Sequence, residues 1–220
     1  MERHLDVELR QLKDDLLRMA SLTEAAIGQA VQALVSRDAE LARQVILHDD
    51  AINMAEIQLD EQCMRLLALQ HPEASDLRFI TMAFKINGDL ERMGDLAVNI
   101  AERTLDLLKE PLLKPLIDIP RMAEVAQTMV KDSLDSFVQL DAEKARAVCR
   151  RDDEVDRYDD QIFRELLTYM MEDPKAITRA VNLILVSRHL ERVADHATNI
   201  AEDVYYLVRG TTIKHHLAGA

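Results

Sequence analysis

Residues 89–102 read Asp-Leu-Glu-Arg-Met-Gly-Asp-Leu-Ala-Val-Asn-Ile-Ala-Glu, and residues 189–202 read His-Leu-Glu-Arg-Val-Ala-Asp-His-Ala-Thr-Asn-Ile-Ala-Glu, nearly the same line 100 positions later. A second pair of lines agrees. Asp38-Ala-Glu-Leu-Ala-Arg-Gln-Val-Ile-Leu-His-Asp-Asp50 returns as Asp141-Ala-Glu-Lys-Ala-Arg-Ala-Val-Cys-Arg-Arg-Asp-Asp153, at an offset of 103. The chain is therefore a duplication of one unit, and the three-residue loss between the two blocks belongs in a loop, around the turns at Pro72 and Pro174. Each copy must bury its own apolar faces, and any chemistry in the unit is present twice.

Composition decides what the unit is made of. Five Gly and five Pro in 220 residues, 48% hydrophobic residues and abundant Ala, Leu, Glu and Arg specify an all-α chain. Apolar residues at three- and four-residue spacing predict helices over about 6–35, 39–70, 75–109, 121–140, 142–171 and 175–208. Ser75 or Asp76 is a candidate cap for the third. His71-Pro72 and Asp173-Pro174 end the second helix of each copy, since proline disfavours helix in the residue before it. The expected architecture is two tandem three-helix bundles: residues 1–110, a Pro-rich linker 111–120, residues 121–209, and a flexible tail 210–220. Gly94, Ala97 and Ala101, repeated as Ala194, Ala197 and Ala201, let a neighbouring helix come close.

Several function classes recede. A net charge of −13 opposes nucleic-acid binding, whose phosphates need a basic surface. No signal pattern or apolar run long enough to span a membrane occurs, so the expected location is cytoplasmic. Cys63 and Cys149 are non-equivalent between copies and read as reduced thiols. There is no Glu-x-x-His pair, no His-Glu-x-x-His, no glycine-rich phosphate loop and no nucleophile elbow.

The repeated line carries the candidate site. On a helix, Glu91, Asp95, Asn99 and Glu102 fall at about 0°, 40°, 80° and 20°, one stripe roughly 16 Å long, repeated by Glu191, Asp195, Asn199 and Glu202. Carboxylates one turn apart can share hard cations through oxygen, with Asn adding a neutral carbonyl. The candidate ions are Mg, Mn, Fe, Zn or Ca. Asp49, Asn53, Glu56 and Asp60 on the second helix form a weaker set, matched by Asp152, Asp156 and Asp159, with Phe163 breaking the symmetry at the position of Asp60. A solvated acidic face accounts for the same spacing; the identity of the two copies at these positions argues for a ligand role. Arg92 and Arg192 read as partners of the chain's own acids, and His196, replaced by Leu96 in the first copy, as a helix-surface residue.

The duplicated Glu-Arg-x-x-Asp-x-x-x-Asn-Ile-Ala-Glu line, Ser75-Asp-Leu-Arg78, the Pro-Leu-Leu-Lys-Pro-Leu linker followed by Ile-Pro-Arg-Met122, and Met-Met-Glu-Asp-Pro174 together resemble the PhoU family of phosphate-transport regulators, over about residues 5–209. The resemblance implies multinuclear metal clusters, found in some members, at Glu91, Asp95 and Asn99 and at Glu191, Asp195 and Asn199. It also implies an adaptor, not an enzyme: a negative regulator of the phosphate-starvation response that links the phosphate ABC transporter to a sensor histidine kinase. A homodimer is the expected assembly. A metal-dependent carboxylate enzyme and a purely structural helical bundle are the alternatives.

Overall fold

The structure is a computed structural model and describes residues 4–69, 72–211 and 213. Among the described residues there are six long helices and no strand: α1 (His4–Ser36), α2 (Ala39–Leu69), α3 (Ala74–Leu107), α4 (Asp118–Gln139), α5 (Ala142–Glu172) and α6 (Ile177–Arg209), with a single 3-10 turn at Pro174–Ala176 before α6. The described residues end just past α6, where Gly210 closes the helix in the left-handed conformation with φ 69°. The rest of the expected tail and His71 lie outside the described residues.

The duplication is visible in the turns. Arg37 and Leu140, 103 positions apart, both adopt positive φ (56° and 53°) between the first two helices of their copies. Asp38 and Asp141 follow and cap the next helix. Oδ1 of Asp38 accepts from the backbone N–H of Glu40 (2.9 Å) and Leu41 (3.0 Å), and Oδ1 of Asp141 accepts from Glu143 (2.9 Å) and Lys144 (3.0 Å). The third helices start differently. α6 is entered through Asp173, which accepts from the Lys175 N–H at 2.9 Å, and Pro174. α3 begins at Ala74 with Glu73 ahead of it and no side-chain cap, so Ser75 and Asp76 lie within the first turn and do not cap. There Asp76 faces the positive helix end. α4 starts at Asp118, three residues earlier than expected, because Pro120 sits in a first turn where its missing N–H costs nothing.

α1, α2 and α3 pack on one another, as do α4, α5 and α6; α3 against α6 and α1 against α4 join the two bundles side by side over one continuous apolar core. α2 and α5 each touch helices of their own bundle alone. Matched positions inside the bundles trade volume. Ile52 of α2 lies on Gly94 of α3, where a Cβ would meet its Cδ1 at 3.1 Å and Cγ2 at 3.2 Å; the corresponding residues of the second copy are Val155 and Ala194, both fully buried.

At the seam α3 and α6 run antiparallel, as the contacts Lys85 to Asp203 (3.3 Å) and Arg103 to Asn182 (3.4 Å) require. Between them His196, 8% exposed, pairs through Nδ1 with Asp89 at 2.9 Å. The expectation that His196 is a surface residue is therefore wrong. Within its own bundle it lies on a flank, and the other bundle covers that flank. The mates of this pair under the repeat are His189 and Leu96, and there the buried Nδ1 of His189 finds no hydrogen-bond partner among the described residues. Burial and the nearby Arg192 and Arg103 lower the His189 pKa, keeping the ring neutral.

The linker is fastened rather than loose. Lys114 is buried and ion-paired with Glu165 of α5; Arg179 of α6 donates to the Pro111 carbonyl at 3.2 Å and pairs with Glu110 at 3.4 Å. Leu113 and Leu116 pack on the core.

Candidate functional site: two paired carboxylate faces

The repeated lines sit on α3 and α6 as expected, half-buried to exposed, each beside the second helix of its own copy. In the first copy Asp49 and Glu56 of α2 share an electrostatic neighbourhood with Glu91 and Asp95 of α3. Burial, then Asp95 and Glu56, hold the Glu91 carboxyl above the usual range; burial raises Asp49, with Asp95 and Asp50 adding to it while the amide of Asn53, donating at 2.9 Å, opposes the rise. In the second copy Asp152 and Asp156 of α5 face Glu191 and Asp195 of α6. Asp152 is pushed up to about 6 by burial and by Asp156 and Asp195. Burial, followed by neighbouring acids, raises Asp156 and Glu191, and burial raises Asp195 against the pull of His196 and Arg192. Each face is a set of acids that repel one another, an arrangement a cation or a basic partner relieves.

The weaker candidates divide. Asp60 accepts from Nδ2 of Asn87 at 2.8 Å, and the same amide donates to the Glu56 carbonyl at 2.9 Å. In the second copy Asn87 is replaced by Ser187, whose hydroxyl donates to Asp159 at 2.8 Å; Arg188 pairs with the same carboxylate at 2.8 Å, and Asp159 is 3% exposed. Asp60 and Asp159 are thus interhelix ties, not free ligands. The replacement of Asp60 by Phe163 is compensated by moving the tie one turn along α5. Among the described residues, Glu102 lies 3.8 Å from Arg103 in an open hollow with Arg43, Asp106 and Lys109. Glu202 lies beside Cys149. Asn99 is half-buried and Asn199 exposed on the stripe. Arg92 and Arg192 are exposed and act electrostatically on the chain's own acids, Arg92 on Glu91 and Arg192 on Asp195. Sequence reasoning missed the Asp89–His196, Ser187–Asp159 and Arg188–Asp159 contacts; the unmatched residue at 163 signalled the two to Asp159, and no local pattern signalled the first.

The donor set, carboxylates with an amide, suits hard cations. Among the described residues no three His, Cys, Asp or Glu side chains gather as a preformed metal cage. The faces are open, and Glu91, Asp95, Asp49 and Glu56, or Glu191, Asp195, Asp152 and Asp156, are the residues that would hold an ion. The two thiols are free and take no part: burial pushes Cys63 to about 11 and Cys149 to about 12. No helix among the described residues is long and apolar enough to cross a membrane.

Comparison with known proteins places this architecture. The PhoU domain model matches twice, over residues 16–104 and 119–204, once in each copy. The chain is 48% identical over 208 residues to the phosphate-specific transport system accessory protein PhoU homolog of Aquifex aeolicus, covering 94% of both chains. It is 44% identical over 216 residues to the homolog of Pseudomonas aeruginosa, covering 98% of this chain and 89% of that one. The crystal structure of PhoU from Pseudomonas aeruginosa superposes with a TM-score of 0.92 at 44% identity, covering 94% of this chain and 100% of that chain. The phosphate transport system regulatory protein PhoU from Streptococcus pneumoniae gives 0.89 at 33% identity, covering 96% and 100%. With the family domain in both copies and relatives matched along nearly their whole length, the chain belongs to the PhoU family.

Proposed function

We propose that this chain is a cytoplasmic adaptor, not an enzyme, that restrains the phosphate-starvation response and phosphate uptake when phosphate is plentiful. Its partners in this reading are the phosphate ABC transporter and the sensor histidine kinase at the inner face of the membrane, and it acts as a homodimer. The observation that carries the reading is the near full-length match to accessory proteins of the phosphate-specific transport system. The fold fits it: six long helices present extended rigid faces, a surface on which another protein can dock.

The two acidic faces are the switchable part of that surface. In this reading a hard divalent or iron-type cation binds at Glu91, Asp95 and Asn99 with Asp49, and at Glu191, Asp195 and Asn199 with Asp152. There it removes the mutual repulsion of the acids and alters what the face attracts. The halves differ, because Asn53 is neutral where Asp156 is charged.

Alkaline phosphatase activity in phosphate-rich medium tests the regulatory role: a strain lacking this gene shows high activity, and unchanged low activity refutes it. For the faces, Mg, Mn and Ca are titrated into the purified chain while the melting temperature is followed. Stabilisation that disappears in Asp95→Asn/Asp195→Asn supports the cation role. A melting temperature that no ion moves removes it.

A further inference from the structure

Between α1 and α2 a hollow of about 220 Å³ opens on Met19, Leu22, Ala55 and Leu59, with Gln58 and Gln62 beside them. The repeat shows what it lacks. At the offset of 103, Met19 returns as Met122, Leu22 as Val125, Leu59 as Ile162 and Gln58 as Gln161, each a like-for-like exchange, but Ala55 returns as Tyr158. Tyr158 and Val125 are half-buried against the core, whereas Leu22 is left 43% exposed. Thus α5 carries an aromatic ring at the register where α2 carries a single methyl group beside an open hollow.

We propose that the hollow seats a tyrosine side chain of a partner protein, at the place that Tyr158 takes by register in the second bundle. This rests on the adaptor reading above and gives it an anchor on the first bundle. Size and chemistry choose the occupant. An apolar cavity of about 150 Å³ holds a benzene molecule, and sites for drug-sized ligands begin at about 300 Å³, so the hollow suits one ring and little more. Met19 and Leu59, 0% and 2% exposed, offer the ring an apolar bed, and a methionine sulfur makes a favourable contact with an aromatic edge. The acid at its edge is already engaged: one oxygen of Asp15 meets Arg18 at 3.0 Å and the other accepts from the Gln11 amide at 3.0 Å. A free aromatic metabolite needs a partner for its carboxylate or ammonium. A ring carried on a peptide does not, and its phenol hydroxyl and peptide groups can bond the amides of Gln58 and Gln62. Tyrosine supplies this apolar body and polar tip at low entropic cost.

The probe is p-cresol, the tyrosine side chain as a free molecule, titrated into the full chain while the methyl resonances of Met19 and Met122 are followed by NMR. Met19 should shift saturably over roughly 0.1–10 mM, and Met122 should not. Ala55→Tyr fills the hollow from within and should weaken the response at least about ten-fold. Leu22→Lys, at an exposed position that spares the core, should weaken it too and serves if the tyrosine variant fails to fold. Tyr158→Ala should open the second hollow and make Met122 respond. A Met19 resonance that does not move, or that moves equally in the two first-copy variants, overturns the site. In cells, Ala55→Tyr at the parental protein level should raise alkaline phosphatase in phosphate-rich medium several-fold, toward the level of the strain lacking the gene. Repression that survives Ala55→Tyr while the deletion releases it overturns the assignment of a partner's ring. A deletion that releases nothing overturns the regulatory reading instead, and the titration still decides the site.

Discussion

Gly94→Ala is a substitution whose helix propensity and packing pull in opposite directions. In the middle of α3, exchanging Gly for Ala should gain about 1 kcal/mol from backbone entropy. The new Cβ, however, would stand 3.1 Å and 3.2 Å from two carbons of Ile52 and 3.5 Å from Oδ1 of Asp49, with Ile52 itself 2% exposed and unable to swing out. Overpacking of this kind costs about 1–3 kcal/mol, so the net should be a loss of about 1 kcal/mol. Ile52→Val alone should cost about 0.5–1.5 kcal/mol for its lost methylene. The double variant rebuilds the Val155 and Ala194 combination that the second copy already uses, so the two losses should not add. The coupling should be about 1 kcal/mol in favour of the double variant. Urea unfolding followed by far-ultraviolet circular dichroism measures the cycle, provided the slope with urea is the same for all four proteins. If Gly94→Ala proves more stable than the parent and the two effects add, close helix approach at this position is not what retains the glycine.

Other expectations follow from the turns, the ties and the acids. Leu140→Gly should stabilise by about 1 kcal/mol, because a left-handed residue bearing a Cβ is replaced by one without, and Leu140 is largely exposed; Arg37→Gly should not, since it also loses the guanidinium donation to the Glu110 carbonyl at 2.7 Å. Asp159→Ala should cost about 1–3 kcal/mol by stripping Ser187 and Arg188 of their partner, whereas Asp156→Ala, a repelling and exposed acid, should be neutral or stabilising in thermal melts. For Asp152 the native carboxyl titrates near 6 against an ordinary value of 3.8, so the folded chain holds the proton more tightly than the unfolded one. Its contribution is favourable at low pH, falls as pH rises from about 4 to about 6, and is a constant penalty above that. Asp152→Asn should therefore flatten the stability profile over that window and add about 1–2 kcal/mol at pH 7, a figure reduced for its partial exposure; a profile unchanged by the substitution would refute the burial and repulsion assigned to it.

The duplicated lines carried the six helices and their grouping into two bundles of three, because periodicity and turn residues are local. Asp38 and Asp141 could be placed before their helices for the same reason, each opening a repeated block. What the sequence could not reveal was which helix flank would meet the other copy. A single helical wheel leaves His196 on the outside, and its burial depends on Asp89 arriving from a helix 107 positions away. The candidate site was legible as a stripe on α3 and α6 but not as a set, since Asp60 and Asp159 have the spacing of ligands and the contacts of ties. Whether a carboxylate points to solvent or to Asn87 is fixed by packing, and packing is not periodic. The linker was legible as a break, three prolines in ten residues, but not its anchoring to the second bundle through Lys114 and the Pro111 carbonyl.

The seam between α3 and α6 bears on how such a chain arose. Two equivalent helices crossing antiparallel is the arrangement by which two separate copies of an unduplicated three-helix unit would have associated, each residue meeting its counterpart's surroundings twice. In such an assembly a histidine facing an aspartate on one side must face an aspartate on the other as well. Fusion into one chain lifts that obligation. Asp89 paired with His196 on one side, and the repeat mates His189 and Leu96 without a matching hydrogen bond among the described residues, is a departure from symmetry that two identical chains could not encode.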